Sequence, residues 1–453
     1  MSDASKLIVQ QPGVDADLLT KIIQRSDQIL IKKLSNNDRD WARYRNKHQA
    51  GVYIPFAERD GGFFPPLATR ERTDSGSDPI REVLIRTIWP QEADTKLSRL
   101  VHYTSKGQET HLTRLPKDAF ATLLPASFLV MGRTDSKVEF VYECLTIDSG
   151  SDEAGLLSEV FDLSADFLIG VFEPAVLEST ERGKILEFAD EVIAAWLAGN
   201  IEAFANDNAT MPPTSELAGM ARNQFLSEHH LEKLDPFELE RPGDVLREIS
   251  RSIEFSLFRE YQRRERSVAL VRLMLGDSPR PYTASDLIRK LVDEFSKIDA
   301  LMLSASQQRK SRAGYSYEHH IESMLLGGEI PFEKQVILES KKRPDFVLPS
   351  LAWTDSGKSA ADTGLILSAK TTLRERWKQV EREKGHRRLF LTTVDENIAS
   401  NVIEDMASFG VQLVIPESLR ESKLAEYGGH SNVLGFHQLC DIQIKPHLAV
   451  WRS

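Results

Sequence analysis

Two short apolar runs in the last third of the chain each have a charged residue at one end. Asp345, which follows Arg343 and Pro344, begins the first run, and Lys370 ends the second run 25 residues later. Apolar runs of this length are typical of buried strands. If the strands are neighbours, the aspartate and the lysine meet at one edge of a sheet. There the carboxylate can bind Mg²⁺, and the ammonium can orient a water and stabilise a phosphorane-like charge. The pattern therefore predicts a sheet with a metal-dependent phosphoryl site at one edge.

Further carboxylates are expected, because Mg²⁺ usually takes one or two protein carboxylates and completes its octahedron with water and phosphate oxygen. The position two before Lys370 holds Ser368 rather than an acid. Glu383 lies 13 residues after Lys370 in a segment that reads as a helix, and Glu318 lies on a predicted helix before the strands. The candidate catalytic residues are therefore Asp345, Lys370, Glu383 and Glu318, with Asp345 and Glu383 as metal ligands.

Each of these motifs also has a plainer interpretation. Arg-Pro-Asp alone is usually a turn at the start of a strand, because proline presets φ and aspartate caps the turn. A lone lysine at the end of an apolar strand is normally a surface residue whose stem covers apolar area. The order and spacing of Asp345 and Lys370, together with Glu383 and Glu318, favour a nuclease core over both interpretations.

Several strings resemble, in order, the EcoRII-type restriction endonucleases. In the carboxy-terminal half, where the catalytic domain of those enzymes lies, the strings are Arg309-Lys310-Ser311-Arg312-Ala313-Gly314 with Glu318, Lys342-Arg343-Pro344-Asp345-Phe346, Lys370-Thr371-Thr372 with Arg374-Glu375-Arg376-Trp377, and Gly410-Val411-Gln412-Leu413-Val414-Ile415-Pro416. In the amino-terminal half, where their DNA-binding domain lies, the strings are Leu34-Ser35-Asn36-Asn37-Asp38 and His48-Gln49-Ala50-Gly51-Val52-Tyr53-Ile54-Pro55.

The resemblance implies a mixed fold: a mainly β, B3-like pseudobarrel with helices, followed by an α/β/α domain of the PD-(D/E)XK restriction-endonuclease fold. It implies a type II restriction endonuclease that uses Mg²⁺ to hydrolyse double-stranded DNA at a palindromic site containing CC and GG, leaving 5′-phosphate ends. A homodimer is expected, because a two-fold symmetric site needs two catalytic domains to cut both strands in one event. A companion DNA methyltransferase of the same restriction-modification system is expected as a functional partner.

Base-reading residues are expected directly after the catalytic strand, at Arg374, Glu375 and Arg376. Arginine can bind guanine O6 and N7, and glutamate can accept from cytosine N4, so together they read a G·C pair. The resemblance assigns this tripeptide to the CC/GG half-site. The alternative is a solvated helix turn with an ion network between neighbouring charges.

Arg251 and Phe255 are four residues apart, which in an α-helix places them on one face. The resemblance assigns this pair to a pocket for an extruded central nucleotide, with the ring stacked on the base. The alternative is a core phenylalanine beside a surface arginine.

Two clusters in the amino-terminal half are candidate DNA contacts. The first comprises Arg43, Tyr44, Arg45, His48, Gln49 and Tyr53, and the second comprises Lys106, Gln108, Glu109, His111 and Arg114. In the second cluster, Thr110 and His111 replace the consecutive basic residues that the family has after the glutamate, which leaves the sequence read by this domain open. The alternative is a pair of ordinary exposed loops.

The length of 453 residues, 41% of them hydrophobic, is enough for two domains with separate cores. The short-chained, polar stretch around Pro212 and Pro213 predicts a linker at 206–215, between domains at 1–205 and 216–453. Strands are predicted at 29–34, 334–339, 345–348, 365–370, 388–394 and 411–415, and helices at 16–27, 178–205, 374–386 and 398–409. An antiparallel hairpin that passes into βαβ units predicts a mixed sheet with helices on both faces.

The net charge of −11 argues superficially against DNA, but the local charge is different. Residues 370–388 hold eight basic and three acidic side chains. Arg309, Lys310 and Arg312 form a second basic patch beside Glu318. Such patches supply the phosphate contacts on which affinity for DNA depends.

The chain has no apolar run of 18 residues and no leader-like start, and Cys144 and Cys440 are far apart, so we expect a cytoplasmic protein with no membrane span, disulfide framework or zinc site. Two rival functions stay open: a DNA-binding regulator that does not cleave, and a structure-specific repair or junction nuclease. The sequence also leaves open the full recognition sequence, the bond cut and any assembly beyond a dimer. It does not decide whether the amino-terminal domain binds an effector site or extends recognition of the cleaved site.

Overall fold

The computed structural model describes residues 14–44, 51–70, 79–103, 109–134, 140–337, 343–355, 363–373, 377–378 and 387–452. The chain forms two compact units, one of Met1–Ser179 with Lys423–Glu426 and one of Thr180–Ser422 with Tyr427–Ser453. The division thus follows Ser179, whereas the sequence places a linker at 206–215. Within that stretch Ala209 and Met211 are buried in clusters of the second unit. The domain limits 1–205 and 216–453 stay a prediction.

The first unit is built on one sheet, as the sequence predicts for a mainly β domain. Its described strands are β1 (Gln28–Lys33), β2 (Val52–Ile54), β3 (Ala68–Arg70), β4 (Ile80–Trp89), β5 (Asp94–Tyr103), β6 (Thr110–Thr113), β7 (Phe128–Thr134), β8 (Val141–Ile147) and β9 (Ile169–Phe172). They are ordered β2-β6-β5-β4-β8-β7-β1-β9, and β3 pairs with β4. The helices are α1 (Val14–Arg25), α2 (Asn36–Arg43), α3 (Phe56–Asp60), α4 (Asp118–Ala121) and α5 (Asp152–Val160).

The alternation of side chains along β1 shows how this sheet forms two cores. Ile29 and Ile31 pack into one cluster with Leu19 of α1. Leu30, between them, packs into a second cluster with Trp41 of α2. Because successive strand residues point to opposite faces, a fully apolar strand can be buried on both faces. The bounds of α1 and β1 lie within two residues of the predicted helix at 16–27 and strand at 29–34, so both predictions are confirmed.

Helix α6 (Pro174–Leu197) begins in the first unit and ends in the second. The second unit continues with the helices α7 (Ile201–Asn208), α8 (Thr214–Glu228), α9 (Pro242–Glu248), α10 (Glu254–Leu275), α11 (Ala284–Asp293) and α12 (Phe295–Gly327), with the π-helical turn Ile249–Ile253 between α9 and α10. The single helix predicted at 178–205 is divided, because Gly199 has a φ of +73°. That conformation ends the helix and is accessible to glycine at little cost.

The sheet of the second unit follows, in the order β10 (Glu333–Lys334), β11 (Phe346–Leu348), β12 (Leu365–Ala369), β13 (Arg388–Thr392), β14 (Val411–Ile415) and β15 (Val433–Gly435). Its helices are α13 (Leu351–Thr354), α14 (Ser400–Ser408), α15 (Glu417–Glu421), α16 (Phe436–Gln438) and α17 (Leu448–Trp451), with a π-helical turn at Leu439–Ile444 and a 3₁₀ turn at Lys445–His447. The first three strands pair antiparallel and the last four parallel, so the predicted mixed sheet is confirmed.

One predicted strand is shorter than expected. Of the run 334–339, only Lys334 belongs to a described strand, because Gln335 adopts a φ of +52° that breaks the extended backbone. Of the helix predicted at 374–386, only residues 377–378 are described, and they are helical.

The burial of strand β12 follows from its position between helices. All five residues of β12 are buried, as expected for a strand covered on both faces. Leu365, Leu367 and Ala369 share a core cluster with Ile321 of α12 and Phe346 of β11. The long helix α12 therefore lies on one face of β12, and this contact brings its residues near the end of that strand. Both cysteines are buried and free. Across the described ranges, no helix is long and apolar enough to span a membrane.

Candidate active site

Asp345 and Lys370 meet at one edge of the sheet, as their spacing predicts. The antiparallel register places Phe346 opposite Leu367, so the start of β11 lies beside the end of β12. The Asp345 Oδ2 accepts a hydrogen bond of 2.7 Å from the Ala369 N–H and one of 2.8 Å from the Lys370 ammonium. The side chains are 13% and 26% exposed. The pair is therefore held by backbone geometry and remains accessible from solvent.

Glu318 reaches this pair from α12. The preceding residue, Tyr317, is buried and its hydroxyl lies 2.8 Å from the Thr392 Oγ1 at the end of β13, which fixes the helix against the sheet. Burial, and then the negative charge of Asp345, raise the pKa of Glu318 to about 7, while the Lys370 and Lys334 ammonium groups lower it. Glu318 thus interacts electrostatically with both Asp345 and Lys370. Three of the four predicted catalytic residues are therefore brought together.

The donor set fits a hard divalent cation. Asp345 and Glu318 are carboxylates that repel each other in a half-buried site, and a cation between or beside them would relieve that repulsion. No group of three His, Cys, Asp or Glu side chains that could hold a metal occurs among the described residues. Two carboxylates with water and phosphate oxygen are enough for Mg²⁺. The predicted ligand Glu383 lies outside the described residues.

The predicted base-reading residues Arg374, Glu375 and Arg376 also lie outside the described residues. Their chain neighbours are anchored. Leu373 is fully buried and its N–H donates to the Asp395 Oδ2 at 2.8 Å. Trp377 is buried, with its ring centroid 5.8 Å from that of Phe409.

Arg251 and Phe255 lie at the junction of the π-helical turn Ile249–Ile253 and helix α10. The wider π-helical turn changes the angle between the two side chains, so the α-helical spacing rule does not by itself place them on one face. Such turns occur often at functional sites. Both side chains are half-buried, and the Arg259 guanidinium carbon lies 5.9 Å from the Phe255 ring centroid.

In the first unit, Tyr53 and His111 are brought together. They are register partners on β2 and β6, and their ring centroids are 5.9 Å apart. The Glu109 carbonyl lies 3.0 Å from the His102 Nδ1, and Arg114 is exposed. This strand pair therefore presents two of the predicted DNA contacts side by side.

The other residues of the two amino-terminal clusters differ in exposure. Tyr44 is 58% exposed, whereas Arg43 donates to the carbonyl oxygens of Ala121 and Leu123. These bonds hold the Arg43 side chain against the backbone of the same unit, and its contact with DNA stays a prediction. Outside the described residues lie Arg45, His48, Gln49, Lys106 and Gln108.

Buried polar contacts were not foreseen from the sequence. The His320 Nε2 lies 2.6 Å from the Glu254 Oε2, and Ser316 donates to the same oxygen. Burial lowers the pKa of His320 although Glu254 raises it. Asp395, fully buried, binds the backbone of a different segment. These contacts join residues far apart in the chain, so neither periodicity nor local spacing signals them.

Comparison with known proteins identifies the family. A family profile described as EcoRII C terminal matches residues 279–439. The type II restriction enzyme EcoRII of Escherichia coli is 36% identical over 414 residues, which is 87% of this chain and 88% of that protein. The type II restriction enzyme SsoII of Shigella sonnei is 32% identical over 171 residues, or 35% of this chain and 53% of that protein.

Among solved structures, one described as metal-depleted Ecl18kI in complex with uncleaved, modified DNA has a TM-score of 0.46 and 22% identity, covering 59% of this chain and 86% of that chain. The match to EcoRII runs through both units and nearly the whole of each protein. The chain therefore belongs to the EcoRII family of type II restriction enzymes, and it is a site-specific DNA endonuclease.

Proposed function

We propose that this endonuclease requires Mg²⁺ and hydrolyses double-stranded DNA at a palindromic site containing CC and GG, leaving 5′-phosphate ends. The observation that carries the hydrolytic chemistry is that Asp345 and Lys370 meet at the ends of β11 and β12 and interact electrostatically with Glu318 of α12. The CC/GG site rests on the similarity to the EcoRII family. Asp345 and Glu383 are the proposed metal ligands. Mg²⁺, when bound, supplies Lewis acidity and orients the phosphate.

Each residue has a separate task in this proposal. The Lys370 ammonium, 2.8 Å from Asp345, is proposed to orient the attacking water and to stabilise negative charge on the phosphate oxygens. Asp345 Oδ2 accepts hydrogen bonds from the Ala369 N–H and the Lys370 ammonium, and Oδ1 is the oxygen proposed to bind the metal ion. Glu318, with its pKa of about 7, can hold or release a proton near neutral pH and supports the ligand set from α12.

The specificity assignments are also part of the proposal. Arg374, Glu375 and Arg376 read G·C pairs of the half-site, and Arg251 with Phe255 holds an extruded central nucleotide. A second DNA-contacting surface on the first unit comprises Arg43, Tyr44, Arg45, His48, Gln49, Tyr53, Lys106, Glu109, His111 and Arg114. The enzyme acts as a homodimer in the cytoplasm, beside a methyltransferase that protects the same sites.

Digestion of a randomised plasmid library in the presence of Mg²⁺, followed by sequencing of the ends, tests this proposal. We expect one palindromic sequence with CC and GG arms at the ends, and no cutting in EDTA. Binding without cutting in Mg²⁺ would identify a non-cleaving regulator. Cutting that follows branched or mismatched structure rather than sequence would identify a repair or junction nuclease.

A further inference from the structure

Asp395 is a buried carboxylate in the loop that follows β13. Its side chain is only 2% exposed, and both oxygens are bonded: Oδ2 to the Leu373 N–H at 2.8 Å and Oδ1 to the Asn397 N–H at 3.0 Å. Its own N–H donates to the Thr393 Oγ1 at 3.0 Å, and its carbonyl accepts from the Tyr427 hydroxyl. The residue is therefore fixed at backbone and side chain.

A buried carboxylate needs compensation for the hydration that it loses. Burial raises the pKa of Asp395, whereas the N–H donors of Leu373 and Asn397 and the positive charge of Arg251 lower it. The next residue, Glu396, lies 3.5 Å from the Arg247 guanidinium at the end of α9. The loop 395–397 thus interacts with the helical stretch that carries Arg251.

On its other side, the same carboxylate holds Leu373. This residue immediately precedes Arg374 and is fully buried. Three residues earlier, the Lys370 N–H donates to the Thr392 carbonyl at 3.0 Å. The chain between the catalytic lysine and the base-reading tripeptide is therefore anchored at both ends, and Asp395 is the anchor nearer to the tripeptide.

We propose that Asp395 is a positioning residue for base recognition: its carboxylate fixes the backbone of Leu373, the residue before the proposed base-reading tripeptide, and the adjacent Glu396 pairs with Arg247 on the helical stretch that carries Arg251. This inference rests on the proposed roles of 374–376 and Arg251. Asp395 acts through those residues and touches no base itself. Base-reading groups need placement to within about 0.5 Å, so release of one anchor is expected to relax the discrimination between bases.

If Asp395 has only a structural role, its replacement should lower stability and leave the base preference unchanged. A matched variant tests this alternative. Asn432 is also buried, and its side chain donates two hydrogen bonds to the backbone, to the carbonyls of Ile403 at 3.2 Å and Val411 at 3.3 Å. Asn432→Ala therefore removes as many buried bonds as Asp395→Ala, but from the α14 and β14 side of the sheet.

The experiment selects bound sequences from a pool of randomised duplexes with the full-length wild type, Asp395→Ala, Asp395→Asn and Asn432→Ala, and measures unfolding midpoints in parallel. We expect Asp395→Ala to reduce the preference for G·C at the read positions by about tenfold or more, as for a lost base contact. Asp395→Asn, which keeps the size but loses the charge and one acceptor, is expected to reduce it less. Asn432→Ala is expected to keep the wild-type preference.

If Asp395→Ala does not fold, Asp395→Asn decides the question. Wild-type preference in the folded Asp395 variants, with a loss of stability like that of Asn432→Ala, would reduce Asp395 to a structural residue. A wild type with no preference at all would instead refute the proposed function.

The link to Arg251 has its own test. The effects of Asp395→Asn and Arg251→Ala on preference are expected to be non-additive in the double variant, because the positive charge of Arg251 acts on the Asp395 carboxylate. Strictly additive effects would remove Arg251 from the inference.

Discussion

The Lys370 ammonium lies 2.8 Å from Oδ2 of Asp345, the same oxygen that accepts the Ala369 N–H at 2.7 Å. One carboxylate oxygen is thus occupied by donors from the end of β12, which orients the carboxylate. The contact needs the start of β11 and the end of β12 to be neighbours, which the antiparallel register provides.

Asp345→Ala and Lys370→Ala are expected to lower the cleavage rate by at least about 10²–10³-fold, because Asp345 is a proposed metal ligand and the Lys370 ammonium is proposed to stabilise charge at the phosphate. Specific binding in a gel shift should persist. Lys233→Ala is the matched control, because Lys233 also pairs with an aspartate, Asp235, at 3.0 Å. Plasmid nicking at the wild-type rate by either active-site variant would contradict the catalytic assignment.

Glu318→Gln is expected to change how stability depends on pH in EDTA. The pKa of Glu318 in the folded protein is about 7, raised from 4.5 by burial and by Asp345. The folded state therefore holds this proton more tightly than the unfolded state, and the stability that it contributes is lost as pH rises through 7. One pKa unit corresponds to about 1.4 kcal/mol, and partial exposure reduces the full effect.

Urea unfolding at pH 5 and pH 8.5 measures this difference. We expect the variant to gain about 1–2 kcal/mol over the wild type at the higher pH and to show little gain at the lower pH. Glu329→Gln is the control, since the Glu329 side chain is 74% exposed. An equal difference at both pH values would show that Glu318 titrates normally.

The outcome for individual residues shows what sequence can and cannot predict. Asp345 and Lys370 were found because strand-end positions are encoded in short apolar runs and their spacing. The shortened β10 was missed, because the positive φ of Gln335 has no signal in its residue type. The Asp395–Leu373 and Glu254–His320 contacts were missed because they join segments 22 and 66 residues apart.

Alanine at Arg374, Glu375 or Arg376 is expected to weaken specific binding by about 1–3 kcal/mol and to relax preference at one base pair. A residue that contacts bases affects one position, whereas a residue that contacts phosphate affects all sequences and lowers the salt slope. Arg272→Ala is the control, because it removes a half-buried arginine that pairs with Asp277 at 2.6 Å. Uniform loss across sequences would reassign the tripeptide to the DNA backbone.

A flipped central nucleotide is expected to increase 2-aminopurine fluorescence at the central position when the wild type binds. Unstacking of the base causes the rise, and the half-buried Phe255 ring is the proposed new stacking surface. Phe255→Ala should reduce this rise, because the extruded base loses its proposed stacking surface. Phe295→Ala, at a ring that is 67% exposed, serves as the control. No rise with the wild type would mean that the base stays stacked.

The DNA-contacting surface proposed for the first unit can be tested in the full-length chain. Its Tyr53 and His111 rings lie side by side on β2 and β6. We expect this surface to bind an effector copy of the site. On that basis Tyr53→Ala, His111→Ala and Arg114→Ala should abolish stimulation by an added oligonucleotide that carries the site, and one-site DNA should be cut at least as fast as by the wild type. If the surface instead reads outer bases of the cleaved copy, the variants should cut poorly or recognise a shortened sequence.

Arg25→Ala is the control, because Arg25 is 62% exposed in the same unit. Wild-type specificity in all three variants, with no effector response in the parent enzyme, would refute both roles, since a DNA-contacting surface must change either regulation or readout when its aromatic and basic groups are removed.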